Sequence, residues 1–349
     1  MRARFAVALL CTLGLILGAA GCGSGDESGA QSGAAASGGS LTVYSGREEE
    51  LVEPLFELFE EETGIDVEVR YGDSAELAAT IAEEGENSPA DAFFAQDPGS
   101  LGAVADEGLL AELPEDLLER VDERFRDDEN RWVGTSGRVR VLAYNTEALD
   151  EAELPESVFE LTDPSWRGRV GIAPTNGSFQ AFVTAMRLTE GDDRAREWLE
   201  GLRENEPKVY ESNTPIVEAV AAGEIDVGLV NHYYLYLVRE EQPDAPVENH
   251  FFPGDDPGAL VSAAGVGIVE GAENEEEARA LVDFLLSEPG QRFYVDEAEE
   301  AEYPLIAGVE PKEGLPPLDE LEGPDIDLAE LGPELEETLE LLNEVGFTT

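Results

Sequence analysis

The period of the apolar positions changes repeatedly along this chain, and each change marks an element. Leu41-Thr42-Val43-Tyr44 predicts a first strand, and the turn Ser45-Gly46-Arg47 leads into a helix opening at Glu48-Glu49-Glu50. Acidic residues suit a helix N-terminus. Leu51, Val52, Leu55, Phe56, Leu58 and Phe59 then share one helical face. Pro54 predicts a kink or the true first turn, and Gly64 the end. Residues 65–69 alternate as a half-buried strand, 75–84 return to helical period, and 90–95 read as a third strand. Strand, helix, strand, helix, strand means an α/β domain with a largely parallel sheet.

The second half repeats this grammar. A helix is expected near 100–106, and 137–145 form a long strand without a breaker, able to run from one domain into another. Next come a strand over 170–173, helices over 179–188, 193–204 and 215–222, and a buried strand over 224–230. Residues 258–268 form a second long apolar strand, able to return the chain to the first domain. Helices over 275–286 and 290–296 and a final amphipathic helix over 328–345 complete the pattern. The fold class is α/β: two lobes joined by two crossing hinge strands, a clamshell with a cleft between. The expected boundaries are 41–138 plus 264–300 for lobe 1 and 139–263 plus 301–349 for lobe 2. Closure on a ligand would be a hinge motion.

Composition adds limits. Of 349 residues, 79 are acidic and 21 basic, for a formal charge of -58, which disfavours nucleic acid and anionic lipid as electrostatic partners. The acids are scattered, as on a salt-adapted surface. Residues 1–21 read as a signal peptide, with Arg2 and Arg4 before an apolar run too short for a comfortable membrane span. Ala19-Ala20-Gly21-Cys22 resembles a lipobox, with Ala19 where leucine is commonest. Cys22 would carry the lipid, and 22–40, rich in Gly, Ser and Ala, would be a flexible tether. Cys11 would leave with the signal, so the mature domain would have no disulfide.

Candidate chemistry collects at strand ends. In open α/β sheets ligands bind beyond the carboxyl ends of the strands. Ser45-Gly46-Arg47-Glu48, Ala95-Gln96-Asp97, Pro174-Thr175-Asn176-Gly177-Ser178-Phe179 and Asn231-His232-Tyr233-Tyr234 all fall there. The third runs into a helix whose free N–H groups suit a small oxyanion. In the fourth, two tyrosines sit where a strand hands over to a helix. Neighbours in a first helical turn lie about 100° apart, so both phenol oxygens can converge on one object. Phenolate is a hard oxygen donor suited to a small, highly charged cation. The alternative at this level is plain aromatic packing. Arg47 and Arg138 can balance anionic ligands or pair with surface acids.

From Leu41 to about Pro311 the chain resembles the ferric-ion-binding proteins of bacterial ABC importers, the bacterial transferrins. The matching stretches are Val43-Tyr44-Ser45-Gly46-Arg47, Ser88-Pro89-Ala90-Asp91, Ser136-Gly137-Arg138-Val139-Arg140-Val141 and Pro174-Thr175-Asn176-Gly177-Ser178-Phe179. They continue through Gly223-Glu224-Ile225-Asp226 with Asn231-His232-Tyr233-Tyr234, then Asp256-Pro257-Gly258-Ala259-Leu260-Val261 and Glu302-Tyr303-Pro304-Leu305.

The resemblance implies a type II-like periplasmic-binding-protein fold with Fe(III) held by Tyr233 and Tyr234. It also implies a synergistic anion, carbonate or phosphate, at Asn176, Gly177, Ser178, Asn213 and Asn231, with Arg138 beside them. The first lobe departs from the pattern: Glu48 stands where some members have histidine, and Gln96 where they have glutamate. Metal ligands on that side would come from Glu48, Gln96 or Asp97. His232, just before the tyrosines, is expected to sit behind the ligands or to be packed rather than to ligate metal, and Tyr236 and His250 to be structural. The implied protein is an extracytoplasmic, lipid-anchored, monomeric binding protein that delivers iron to a permease and catalyses nothing. Two other readings remain: a same-fold binder of an organic solute such as a phosphonate, polyamine or thiamine-like molecule, and a hydrolase using Glu48, Asp97 and His232 around a divalent ion.

Overall fold

The computed structural model describes residues 38–297 and 301–348. The expected signal segment, Cys11, Cys22 and all but the last three residues of the tether lie outside these. Among the described residues no helix is long and apolar enough to cross a membrane.

The chain opens with β1 (Ser40–Ser45), α1 (Glu49–Thr63), β2 (Asp66–Tyr71), α2 (Ser74–Glu84), β3 (Ala92–Ala95) and α3 (Pro98–Asp106). β1 pairs in parallel with both β2 and β3. Side-chain alternation explains the layering. Leu41, Val43, Ala92 and Phe94 face one core with Val52, Leu55, Phe56 and Phe59 of α1. Tyr44, Phe93 and Ala95 face the opposite way, onto Leu77 and Ile81 of α2 and Leu101 and Val104 of α3. A parallel sheet covered on both faces is the expected result for strands this apolar. Pro54 lies inside α1, and Gly64 closes that helix at φ 73°.

A single turn, α4 (Glu115–Leu118), precedes β4 (Val133–Asn145), all 13 residues of which are buried. β5 (Val170–Ile172), α5 (Gly177–Glu190), α6 (Asp192–Glu204), β6 (Lys208–Val209), α7 (Asn213–Ala221), β7 (Val227–Asn231), α8 (Tyr234–Glu241) and β8 (Val247–His250) follow. The chain then runs through β9 (Val261–Ile268), α9 (Glu275–Leu285), α10 (Glu288–Arg292), β10 (Tyr303–Pro304) and α11 (Leu335–Val345). The short strands β6, β8 and β10 carry no legible sequence pattern.

β4 is the long crossing strand. Residues 133–139 pair with β9, which continues to β3, whereas Arg140 to Tyr144 pair with β7. β8 and β10 add to its two ends, at 142–145 and 136–137. The chain crosses again just before β9, where the Arg140 N–H donates to Leu260 C=O at 2.8 Å. The expected helix over 328–345 is broken. Residues 328–331 form a 3₁₀ turn, and the α-helix starts at Leu335. Pro333 removes a helical donor. At Gly332 a Cβ would meet Gly99 C=O at 2.5 Å, so the chain there must pass backbone to backbone against α3.

Candidate metal centre

β7 ends at Asn231, and the chain turns at once into α8 with Tyr233 at the capping position (φ -72°, ψ -21°). That turn stacks the two phenol rings, with centroids 4.4 Å apart and planes 36° apart. Their hydroxyls approach to 3.3 Å, Tyr233 donating to Tyr234. Tyr233 is 3% exposed, and Tyr234 is half-buried.

Arg140, 2% exposed on β4, sits beside the phenols. Its Nη1 donates to Ser178 Oγ at 3.0 Å and to Asn231 Oδ1 at 3.3 Å. Its Nε and Nη2, and Asn231 Nδ2, are buried without a hydrogen-bond partner. Burial draws this guanidinium down to about 10, while the facing phenols of Tyr234 and Tyr233 pull the other way. Asn176 caps α5. Its Oδ1 accepts from the Ser178 N–H at 3.0 Å, from Ser178 Oγ at 2.6 Å and from Asn213 Nδ2 at 3.0 Å. Asn213 Nδ2 also lies 3.2 Å from Ser178 Oγ. Gly177 begins the helix with open space where a Cβ would be. Buried donors almost always find a partner, and here three lie unmet beside two phenols.

The first-lobe candidates are arranged differently. Glu48 precedes α1 and is exposed, and its side chain makes no capping bond. The Gln96 backbone N–H donates to Ser74 Oγ at 2.9 Å. Asp97 caps α3, its two oxygens accepting from the Ser100 N–H at 2.7 Å and the Ser100 hydroxyl at 2.9 Å. Burial pushes the Asp97 carboxyl up despite these bonds. Among the described residues no three of His, Cys, Asp or Glu group as a metal cluster.

A model of the family described as bacterial extracellular solute-binding protein matches residues 87–322, most of the chain. The chain belongs to that solute-binding family. Within it the likeness is to ferric-ion binders. This solute-binding protein is 31% identical over 321 residues to the Fe(3+)-binding periplasmic protein of Serratia marcescens, covering 91% of this chain and 93% of the relative. It is 35% identical over 314 residues to the major ferric iron-binding protein of Neisseria meningitidis serogroup B, covering 88% and 93%. Iron-bound HitA from Pseudomonas aeruginosa superposes with a TM-score of 0.81 at 37% identity, covering 88% of this chain and 99% of that one. The two-lobed α/β fold follows from these matches.

Three arginines of this solute-binding protein stand apart from the sequence expectations. Arg138, named above on the anion side, turns to a buried carboxylate, with Nη2 3.4 Å from Glu302 Oε1. Arg47 joins it through Nη2 to Glu302 Oε2 at 3.0 Å, and the Ser136 hydroxyl donates to the same oxygen at 2.7 Å. Both arginines thus share the buried Glu302 carboxylate. The guanidinium that reaches Ser178 and Asn231 is Arg140, two residues along the same strand face and overlooked because Arg138 carries the same signal. His232 is fully buried and both ring nitrogens are engaged: Nδ1 accepts from the Val139 N–H at 3.2 Å, and Nε2 meets Ala301 C=O at 3.1 Å. Burial draws it down to about 4. The divalent site of Glu48, Asp97 and His232 is therefore not formed. His250 is likewise held, with Nε2 2.8 Å from Pro155 C=O.

Proposed function

We propose that this protein captures ferric ion outside the cytoplasm and passes it to the permease of an ABC importer. Tyr233 and Tyr234 bind the ion as phenolates. Arg140, Ser178 and Asn231, with Asn176, Gly177 and Asn213 behind them, receive a synergistic carbonate or phosphate. Glu48, aided by Gln96 or Asp97, approaches from the first lobe on closure. Cys22 supplies a lipid anchor on the outer face of the membrane, the protein acts as a monomer, and no chemical turnover takes place.

One observation carries this reading: two phenol hydroxyls 3.3 Å apart beside a buried guanidinium with unspent donors. Free tyrosine has a pKa of about 10, so a trivalent ion must displace both phenolic protons. Binding releases protons and weakens as pH falls. The relatives named for ferric ion support the choice of cargo.

The experiment is to titrate ferric salt into the apo protein with carbonate or phosphate present. A phenolate-to-iron visible band is expected, and Tyr233→Phe or Tyr234→Phe should remove it. A colourless mixture with no binding heat overturns the reading. Uptake of a phosphonate, surviving strong chelators, would replace it with an organic solute.

A further inference from the structure

His232 stands at a break in the sheet. A strand has two edges. β9 takes one edge of β4 along residues 133–139, so β10, at residues 136–137, must lie on the other. β7 takes up that second edge from Arg140 onward. Between β10 and β7 neither strand supplies an acceptor for the Val139 N–H. His232 fills the gap twice: its own N–H donates to Val139 C=O at 2.9 Å, and its Nδ1 accepts from the Val139 N–H. Because Nδ1 accepts, the neutral ring carries its proton on Nε2 and donates it to Ala301 C=O.

Ala301 holds a left-handed conformation, φ 49°, unusual for a residue with a Cβ. Glu302 follows into the Arg47 and Arg138 cluster, and Tyr303 begins β10. The Tyr303 ring lies against the imidazole, centroids 4.9 Å apart. On its other side the imidazole meets the Tyr233 ring in a T-shaped contact, 5.7 Å and 84°. The Asn249 amide of β8 donates to His232 C=O at 2.7 Å.

We infer that His232 is a positioning residue for ion capture: it splices the tyrosine-bearing turn to the crossing strand and to the 301–303 segment, so that the Tyr233 phenol is held in register with the hinge. The inference rests on the tyrosine pair being the ferric site. It differs from a mere packing role in one respect. Among the described residues the imidazole alone links the turn to both Val139 N–H and Ala301 C=O, so keeping one bond should keep part of the function.

The test compares wild type with His232→Leu, which removes both links, and His232→Asn, whose amide oxygen can still accept from Val139. In the iron-loaded proteins, His232→Leu should release iron to a competing chelator at least about tenfold faster than wild type and shift the phenolate-to-iron band, with His232→Asn between. In the apo proteins, amide exchange at Val139 should accelerate in His232→Leu and stay near wild type in His232→Asn. If His232→Leu does not fold, the decision falls to His232→Asn: faster release with a protected Val139 supports the inference, and wild-type release overturns it. A His232→Leu protein with wild-type release, band and exchange also overturns it. If wild type itself shows no iron band, the ferric reading fails, and the Val139 exchange series alone decides whether His232 holds the turn to the hinge strand.

Discussion

The two walls of the cleft use charge in opposite ways. On the second-lobe wall Arg140 is buried with Nε and Nη2 unspent, and Asn231 Nδ2 is equally unmet. Around Glu302 the buried charges balance instead, with Arg47 and Arg138 closing on its carboxylate, although Arg138 Nε makes no hydrogen bond among the described residues. The first-lobe candidates are an exposed Glu48, a half-buried neutral Gln96 and a half-buried Asp97 already bonded to Ser100. Donors held ready before binding cost little to order. On the proposed reading the second lobe is a preformed receptor, and the charges around Glu302 keep the hinge region in shape. Affinity should map to one wall and stability to the other.

The largest effect expected is on stability, at Glu302. Glu302→Gln leaves two guanidinium groups buried around a neutral amide, and breaking a buried pair in this way costs about 3–5 kcal/mol. Urea unfolding of the apo protein measures it. The pH dependence has a definite sign. Burial pushes the Glu302 carboxyl up, but Arg47, Arg138 and Ser136 together hold it below the ordinary carboxylate range. A lowered folded pKa gives stability that is complete above the unfolded value, about 4.3 for glutamate. That stability is lost as pH falls through the lower folded value. Wild type should therefore lose stability below about pH 4 more steeply than Glu302→Gln. Equal slopes would mean the cluster carries no net linkage and the first wall is not organised by charge.

Second in size is Arg140→Gln, which removes the charge and keeps a hydrogen-bonding group. Bonds to a charged donor contribute about 1.5–3 kcal/mol, so ferric affinity should fall roughly 100-fold. The remaining affinity should no longer respond to added carbonate or phosphate. The apo protein should be as stable as wild type or more so, because an incompletely satisfied buried cation is gone. Calorimetric titration with and without the anion, beside a thermal melt, reads both. A fall in stability with unchanged anion dependence would reverse the assignment of the two walls.

How much of this the sequence displays depends on how local the cause is. The handover from β7 to α8 is local, and it alone brings the phenols of Tyr233 and Tyr234 together. The cap at Asn176 is local too, and the loop 176–178 is legible for that reason. Arg138 and Arg140 are indistinguishable by pattern, since both occupy one face of a strand that changes partners between them. Only the partner strands separate them. Glu302 lies 164 residues from Arg138 in the chain and carries no motif of its own beyond a family stretch, so its pairing is a purely tertiary fact. The break at Gly332-Pro333 was legible in principle, because glycine followed by proline disfavours helix, but the apolar period ran on across it.

The smallest effects test the first wall directly, by a pair of charge-neutralising changes. Glu48→Gln alters an exposed carboxylate with no side-chain partner among the described residues and should speed iron release about tenfold, or ~1.4 kcal/mol, without moving the visible band. Asp97→Asn keeps an oxygen that can accept from the Ser100 N–H, and asparagine caps helices as well as aspartate, so its release rate should stay within about twofold of wild type. Burial raises the Asp97 carboxyl, so its ionised form opposes folding above the unfolded value. Asp97→Asn should therefore melt at the wild-type temperature or slightly above it at neutral pH. Stopped-flow chelator competition on the loaded variants measures the release rates. If Asp97→Asn releases iron faster than Glu48→Gln, the aspartate is a ligand that closes on the ion. The first wall would then contribute affinity of its own, and the division of labour between the lobes would fail at that residue.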